Sequence, residues 1–303
     1  MRTVLVSGAT GFVGAALCDR LAEKGWSIIA LSRGSRMGIG PLRFVTWSPE
    51  DPASAVTLLA HEMEKVSAVI NLAGEPLVAG RWTQKRKRLI MDSRVSATKI
   101  LVDAMAKASR KPAVLINASA IGYYGSHTER PLDESSPPGS GFLAVVCAGW
   151  ESEARKAEAY GVRVVRLRIG IVLGREGGAL SRMLPPFRLG LGGPLGSGEQ
   201  WMSWIHIQDL SDMIAWALEL GDIEGPVNAT APQPVTNEEF SRTLARILKR
   251  PCIFRAPGFL LSMLLGEMAG VLLEGQKVVP GVAANRGFRF RFPELRAALQ
   301  DVL

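Results

Sequence analysis

Three glycines near the amino terminus have the spacing of a phosphate-binding turn. Gly8, Gly11 and Gly14 lie in GATGFVG, between an apolar run that predicts a strand and an amphipathic segment that predicts a helix. Unpaired amides at a helix N-terminus bind anions, and glycines allow the sharp turn and the close approach of a pyrophosphate. The pattern therefore predicts a dinucleotide site. The other predicted cofactor-binding residues of this turn are Thr10, Phe12 and Val13.

The end of the second predicted strand bears on the choice between NAD and NADP. That strand, residues 27–31, runs into Ser32 and Arg33, with Arg36 nearby and no acidic residue. An acid here would bind the ribose 2′-hydroxyl of NAD, whereas an arginine accommodates the 2′-phosphate of NADP. The sequence favours NADP(H). The alternative is that Arg33 is an ordinary surface residue.

Two further strand ends carry small or polar residues. A strand at residues 66–72 ends with Leu72 and runs into Ala73 and Gly74, and small residues there allow the backbone to approach a ribose or adenosine. Ser119 follows a buried strand at residues 113–118, where its hydroxyl could bond a substrate oxygen. The plainer alternatives are a strand-to-loop turn for the first and a loop cap for Ser119.

The order of elements predicts the fold class. Strands alternate with helices through about residue 175, which indicates an α/β protein with a doubly wound, parallel Rossmann sheet. Glycine and proline then become dense at residues 185–198. We therefore predict a nucleotide-binding domain at 1–175. Residues 176–303 are expected to form mainly a smaller α/β substrate lobe, with some elements returning to the sheet.

Composition limits the classes of partner. The 303 residues are 47% hydrophobic and 21% charged, with a formal net charge of +8. A basic balance is compatible with nucleic acid, a membrane surface, an anionic ligand or no particular partner. Because no nucleic-acid module is recognisable, we expect an unidentified small-molecule substrate and no nucleic acid. The longest apolar run, residues 259–273, contains Glu267 and is too short to span a bilayer. We interpret it as a buried helix and expect no membrane contact.

Cysteine and histidine usage points to a reducing compartment and to no metal. The three cysteines show no pairing pattern, and the first strand begins at residue 3, so a cytoplasmic protein without a signal or transit segment is expected. The three histidines lack metal-ligand spacing with cysteine or acidic residues. The basic run at 81–88 is interpreted as a solvated helix face, or as a surface that steers an anionic ligand.

Several motifs in order resemble one family. GATGFVG, NLAG, NASAIGYYG and WIHIQDL are similar to those of extended short-chain dehydrogenases/reductases, the NAD-dependent epimerase/dehydratase superfamily. RIGIVLG, PFRLGLGGPLGSG, EGQKVVP and the tail GFRFRFPELRAAL resemble its atypical YfcH-like subfamily, and the likeness covers essentially the whole chain. It implies a Rossmann fold that binds NADP(H). Ser32 and Arg33 would hold the 2′-phosphate.

The resemblance implies further cofactor contacts. Leu72 and Ala73 would line the adenosine side, Arg94 in DSR would reach the cofactor, and the Val172 backbone would meet the nicotinamide end. It leaves the substrate open. Because related enzymes often pair through helices that flank the sheet, it also suggests a homodimer.

The chain departs from the family at its catalytic motif. Typical members carry Tyr-x-x-x-Lys on the helix after the serine strand, where lysine activates tyrosine for proton transfer. Alignment on Glu151 places Leu143 and Cys147 at those positions. Tyr123 and Tyr124 are candidate replacements, although adjacent tyrosines in a turn are often packing residues. Other groups that we considered are Cys147, Glu75 and His206.

Two functions follow as hypotheses. The first is an NADP-dependent oxidoreductase or sugar-epimerase-like enzyme in which Ser119 holds the reacting oxygen and a non-standard group moves the proton. The second is a non-catalytic NADP(H)-binding sensor or scaffold, which the missing tyrosine–lysine pair favours.

Overall fold

A parallel sheet of seven strands forms the centre of the protein in a computed structural model that describes residues 2–78 and 80–303. Its order is β11-β7-β5-β4-β1-β2-β3, and every neighbouring pair is parallel. The strands of the described chain are β1 (Thr3–Ser7), β2 (Ser27–Ser32), β3 (Leu42–Thr46), β4 (Ala68–Asn71), β5 (Val114–Ala120), β6 (His127–Leu132), β7 (Arg163–Ile169), β8 (Ile171–Leu173), β9 (Trp201–Met202), β10 (Trp204–His206), β11 (Gly225–Ala229), β12 (Val235–Thr236) and β13 (Gln276–Val278).

Helices cover both faces of the sheet. One face carries α1 and α6, and the other carries α2, α3 and α4. The helices are α1 (Phe12–Glu23), α2 (Pro52–Met63), α3 (Gln84–Lys107), α4 (Phe142–Arg155), α5 (Gly178–Arg188), α6 (Ile207–Glu219), α7 (Asn237–Leu248), α8 (Gly258–Leu265), α9 (Gly270–Leu273), α10 (Gly281–Asn285) and α11 (Leu295–Val302). This is the doubly wound Rossmann arrangement that the alternating pattern predicts.

The chain reverses direction across the sheet between β1 and β4. From β1 it moves outward through β2 and β3, and then returns to the other side of β1, where Ser7 pairs with Asn71. Ligands of such sheets bind outside the carboxyl ends of the strands at this reversal. The fold therefore places the predicted glycine turn and the 72–74 segment at one point.

A second hydrophobic core organises the carboxyl-terminal lobe. Side chains of α5, α7, α11, β9 and β10 form a cluster separate from those that line the sheet, with Phe187, Trp204 and Phe240 among its buried members. Residues 225–229 lie outside this lobe, because β11 pairs with β7 at the sheet edge.

The prediction of a buried helix over residues 259–273 is wrong. Helix α8 ends at Leu265 and is followed by Gly266, whose φ of +60° favours glycine. A 3₁₀ segment and the short helix α9 come next. None of the residues in α8 is buried. The reason is that α5, α7 and α11 already fill the lobe core. No helix in the described residues is both long and apolar enough to cross a bilayer.

Two further local features differ from what the sequence indicates. The sequence of the tail, residues 287–303, predicts a short strand and then a helix from Pro293. The helix is present as α11, but residues 287–292 form no strand, because the Arg291 and Phe292 amides donate to the Asp209 carboxylate at 2.7 and 2.9 Å instead of to a strand partner. Helix α2 was not predicted, although Asp51 caps its N-terminus and Pro52 is its first residue, which is a recognised start signal.

Candidate functional site

The glycine turn forms an open helix N-terminus. Helix α1 begins after Gly11, which offers no side-chain cap, and its first turn carries no acidic residue. Gly8 has a φ of +73°, and a Cβ on Gly14 would lie 2.1 Å from the Gly8 carbonyl oxygen. The turn therefore requires glycine at both positions. The positive end of the α1 dipole stays free for an anion.

The turn after β4 packs directly against this cradle. A Cβ on Gly8 would lie 2.7 Å from the Leu72 carbonyl carbon and 3.0 Å from the Ala73 amide nitrogen. A Cβ on Gly74 would lie 3.0 Å from the Arg94 guanidinium carbon. The structure thus brings together the glycine turn, residues 72–74 and Arg94, which are far apart in sequence.

Arg94 reaches this place from α3 and is largely enclosed. It donates to the Ile90 carbonyl at 3.0 Å and lies over the Trp150 ring at 5.3 Å. Burial lowers the pKa of its guanidinium, and no acidic residue of the described chain pairs with it in an ion bridge. A cation held in this way next to the glycine turn suits an anionic or polar ligand.

Ser32 and Arg33 stand at the end of β2, the strand beside β1. Ser32 is buried and accepts a hydrogen bond from the Gly34 amide at 3.3 Å, whereas Arg33 is exposed. Because β1 and β2 are parallel neighbours, their carboxyl ends share one edge. Arg33 therefore lies one strand from the glycine turn, at the position that reads the adenosine ribose in dinucleotide folds.

Phe12 links the glycine turn to the start of the second lobe, a contact that sequence reasoning missed. A Cβ on Gly174 would lie 2.6 Å from the Phe12 ring, and Gly177 approaches the same ring closely. Val172, in the preceding strand β8, pairs with Ile205 of β10. The three glycines of GREGG could have indicated this contact in the sequence, because such close packing against a ring requires residues without side chains.

Ser119 lies in a closed polar cluster rather than in an open pocket. It is 3% exposed, and its hydroxyl donates to a Glu151 carboxylate oxygen at 2.8 Å. Arg168 binds the same carboxylate through Nε at 2.8 Å and Nη2 at 3.0 Å. Both partners are buried, so this bidentate pair is a strong but costly interaction. Strands β5 and β7 create it by placing Ser119 opposite Arg168.

The two candidate tyrosines have different surroundings. Tyr124 is fully buried, donates to Asn228 at 2.7 Å and accepts from Arg168 at 2.9 Å. Burial raises the pKa of its phenol to about 12. Tyr123 is half-buried, and its ring lies 3.5 Å from the Arg168 guanidinium carbon. Tyr124 is thus committed to the fold, and Tyr123 is the tyrosine with a partly accessible side chain.

The positions of the missing tyrosine and lysine are filled by apolar or inert groups. A Cβ on Gly122 would lie 3.1 Å from the Leu143 Cβ, so Leu143 packs against the turn after β5. Cys147 is buried, and burial raises the pKa of its thiol to about 11. A thiol in that state is a poor acid or base near neutral pH.

The remaining candidates are held by other parts of the chain. Glu75 forms an ion pair with Arg86 at 2.9 Å. His206 caps α6 by accepting from the Gln208 amide, and its Nε2 lies 3.2 Å from Asp301 in α11. Within residues 2–78 and 80–303, no group of three or more His, Cys, Asp or Glu side chains could hold a metal. The absence of a metal stays a prediction.

Comparison with known proteins decides the family. The model of the NAD dependent epimerase/dehydratase family matches residues 4–229, and a domain of unknown function, DUF1731, matches residues 256–302. The chain belongs to the NAD-dependent epimerase/dehydratase family. Within this epimerase family, it is 40% identical to mouse epimerase family protein SDR39U1, over 99% of both chains. It is 38% identical to YfhF of Bacillus subtilis, over 99% of this chain and 97% of YfhF.

One solved structure of this epimerase family is similar over its whole length. Human SDR39U1 (isoform 2), crystallised with NADPH, superposes with a TM-score of 0.88 at 35% identity, over 99% of this chain and 98% of the human one. The family resemblance drawn from the motifs and the Rossmann fold are therefore confirmed. The roles of individual residues stay predictions.

Proposed function

We propose that this protein binds NADP(H) and acts as an oxidoreductase or epimerase-like enzyme on a small molecule in the crevice beside the glycine turn. The observation that carries the proposal is the uncapped N-terminus of α1, in contact with residues 72–74 and one strand from Ser32 and Arg33. The NADPH in human SDR39U1 supports the choice of cofactor.

The residues present fit a dinucleotide phosphate. A Cβ at Gly8 or Gly14 would clash with neighbouring backbone, so the tight strand–turn–helix geometry that turns the α1 N-terminus towards a pyrophosphate requires glycine at both positions. Exposed Arg33 offers a planar fork to the 2′-phosphate, and Ser32 offers a hydroxyl beside it. Leu72 and Ala73 would border the adenosine, Arg94 would face the cofactor from α3, and Val172 would meet its nicotinamide end. When bound, the cofactor supplies or accepts a hydride.

Ser119 is proposed to hold the reacting oxygen. Its proton points to Glu151, so what it offers a ligand is a lone pair, which accepts from a hydroxyl. This polarity favours an alcohol substrate over a carbonyl at that position. Tyr123 is the proposed group for moving the proton, because the hydroxyl of Tyr124 already has two partners.

A second candidate function is an NADP(H)-binding sensor or scaffold without catalysis. It is supported by the closed state of the Ser119 cluster and by Leu143 and Cys147 at the motif positions. Both carboxylate oxygens of Glu151 already have cationic partners, Arg168 on one and Arg166 at 3.3 Å on the other.

Turnover separates the two functions. Hydroxyl and carbonyl compounds, including nucleotide-linked sugars, should be screened for a change in NADPH absorbance or for product. If the enzyme proposal is right, at least one compound reacts, and Ser119→Ala abolishes its turnover while NADPH affinity is kept. Ser152→Ala, an exposed serine on α4, is the matched control and should react normally. No reaction across the panel, with intact NADPH binding, favours the sensor.

The compartment, the oligomeric state and the absence of a nucleic-acid partner are further proposals. The three cysteines of the sequence are free in the structure, which supports a reducing, cytoplasmic location. A homodimer is proposed from the family resemblance, and sedimentation velocity would test it. Nucleic acid is not a proposed partner, and retention of the protein on heparin but not on a nucleic-acid column would agree with that.

A further inference from the structure

Helix α8 presents an apolar face to solvent. Phe259, Leu260, Met263 and Leu264 lie at i, i+1, i+4 and i+5, so they share one side of the helix. Phe259 is 72% exposed, and Met263 and Leu264 are each 64% exposed. A helix normally turns such residues towards a core, so a face of this kind marks an interaction surface.

The apolar face continues on the neighbouring loop. Residues 189–196 run beside residues 251–256, since Ala256 donates to the Pro194 carbonyl at 3.0 Å and Gly196 donates to the Ala256 carbonyl at 2.9 Å. Leu189, Ile253 and Phe254 are all exposed there. We call this loop pair together with α8 the α8 surface.

The segments that form and directly flank the α8 surface are cationic, although Arg255 pairs with Glu238 and Glu267 follows α8. Segments 181–198 and 249–266 contain five Lys or Arg residues and no Asp or Glu. Arg188, Lys249 and Arg250 are exposed, and their side chains form no ion pair with the described residues. Cations beside exposed aromatic and aliphatic side chains match the interface of an anionic bilayer. There, electrostatic attraction and burial of apolar side chains both favour binding.

Helix α8 is fixed to the nucleotide-binding half of the molecule. The Arg81 guanidinium donates to the Met263 carbonyl at 2.9 Å, and Lys87 of α3 pairs with Glu267 just beyond the helix. The apolar face is therefore held outward by polar contacts on its other side. A protruding, fixed apolar element suits a deformable partner such as lipid.

We infer that the α8 surface docks the protein onto an anionic membrane surface. A second copy on a two-fold axis is disfavoured, because both of the apposed faces would carry the same excess of positive charge. The sequence-based expectation of no membrane contact rested on a run too short to span a bilayer and on its burial as one helix, and the structure does not contain that buried helix. This inference concerns peripheral binding and is independent of the proposed enzymatic function.

Vesicle binding tests the inference. Wild-type protein should cosediment with phosphatidylglycerol–phosphatidylcholine vesicles, release with added salt, and bind pure phosphatidylcholine weakly. Phe259→Gln with Met263→Gln should lower the partition coefficient at least about tenfold, because two exposed apolar side chains are lost. Leu89→Gln with Val145→Gln changes two exposed apolar residues on α3 and α4 and should bind as wild type.

A variant that lacks three of the cations tests the electrostatic part of the inference independently. Arg188→Gln, Lys249→Gln and Arg250→Gln together should reduce binding to the anionic vesicles and remove its salt dependence, whereas Arg110→Gln should not. Since all these side chains are exposed, folding is checked by circular dichroism and by NADPH affinity. Wild-type binding that is absent, insensitive to the Phe259 and Met263 changes, or equal on neutral vesicles overturns the inference. The inference is also overturned if the protein does not bind vesicles and the same substitutions instead dissociate a homodimer or a complex with an acidic protein.

Discussion

The glycine turn and the Ser119 cluster stand at the carboxyl ends of strands in the same sheet, yet they are built in opposite ways. The turn is open: α1 has no side-chain cap, and bare backbone faces the site. The cluster is closed: Ser119, Glu151, Arg168, Tyr124 and Asn228 satisfy one another. The difference shows that the turn suited to a dinucleotide and the polar cluster proposed for chemistry are built from separate parts of the fold.

The closed region should be far more sensitive to loss of a charge than the protein surface. Arg168→Met leaves Glu151 buried without its bidentate partner, so we expect the free energy of unfolding to fall by about 3–5 kcal/mol. Arg286→Met removes the exposed pair with Asp222 and should cost no more than about 1 kcal/mol. Urea denaturation measures both. If the free energy of unfolding falls by the same small amount in both variants, the cluster does not stabilise the fold as proposed.

The open region should respond to added volume instead. Gly14→Ala places a methyl group against the Gly8 carbonyl, so we expect NADPH affinity to fall at least about 100-fold, or about 2.7 kcal/mol. Gly221→Ala, where a Cβ meets nothing within 4 Å, is the control. Fluorescence titration of NADPH measures both, with circular dichroism to verify the fold. An unchanged affinity in Gly14→Ala would remove the turn from the binding site.

The two tyrosines should separate structure from chemistry. Tyr124→Phe strips a partner from both Arg168 and Asn228, so we expect a loss of about 1–3 kcal/mol in the free energy of unfolding. Tyr123→Phe should stay within about 0.5 kcal/mol of wild type. If a substrate is found, Tyr123→Phe should lower kcat while Tyr124→Phe mainly lowers stability. The reverse pattern would contradict the assignment.

The smallest effect is expected at Glu134, on the border of the cluster. Its carboxylate accepts from the Asn228 and Val282 amides, and burial raises its pKa in the folded protein. A raised folded pKa means that its contribution to stability is greatest below the unfolded value of about 4.3 and is lost as pH rises. Glu134→Gln keeps an acceptor and removes the half-buried charge. It should therefore be slightly more stable than wild type at neutral pH, with less change in stability across the acid range; a clear loss would contradict this.

The glycine turn and the Ser119 cluster also differ in how well the sequence predicts them. The glycine turn was predictable because its steric requirements are local: strand, turn and helix follow one another, and Gly8 and Gly14 have no substitute. The pairing of Ser119 with Glu151 and Arg168 was not predictable, because it depends on the register of β5 and β7 and on which face of α4 packs against these strands. Both residues were visible in the sequence, Glu151 in the altered motif and Arg168 in RIGIVLG.

In the carboxyl-terminal lobe, the hydrophobicity of a segment does not by itself predict whether the segment is buried. Residues 259–273 form the longest apolar run, which argues for burial by composition. Their exposure is decided by which other helices fill the core, and α11, from the end of the chain, takes that place through Leu295 and Leu299. Such competition between distant segments has no local signal.

The separation of binding from chemistry can be tested in one set of titrations. NADPH and NADH are titrated into wild type, Arg33→Ala, Arg110→Ala and Ser119→Ala. We predict that wild type and Arg110→Ala prefer NADPH by at least about tenfold, that Arg33→Ala loses this preference, and that Ser119→Ala binds both cofactors as wild type does. Equal affinity of wild type for the two cofactors, or loss of NADPH binding in Ser119→Ala, would contradict the account.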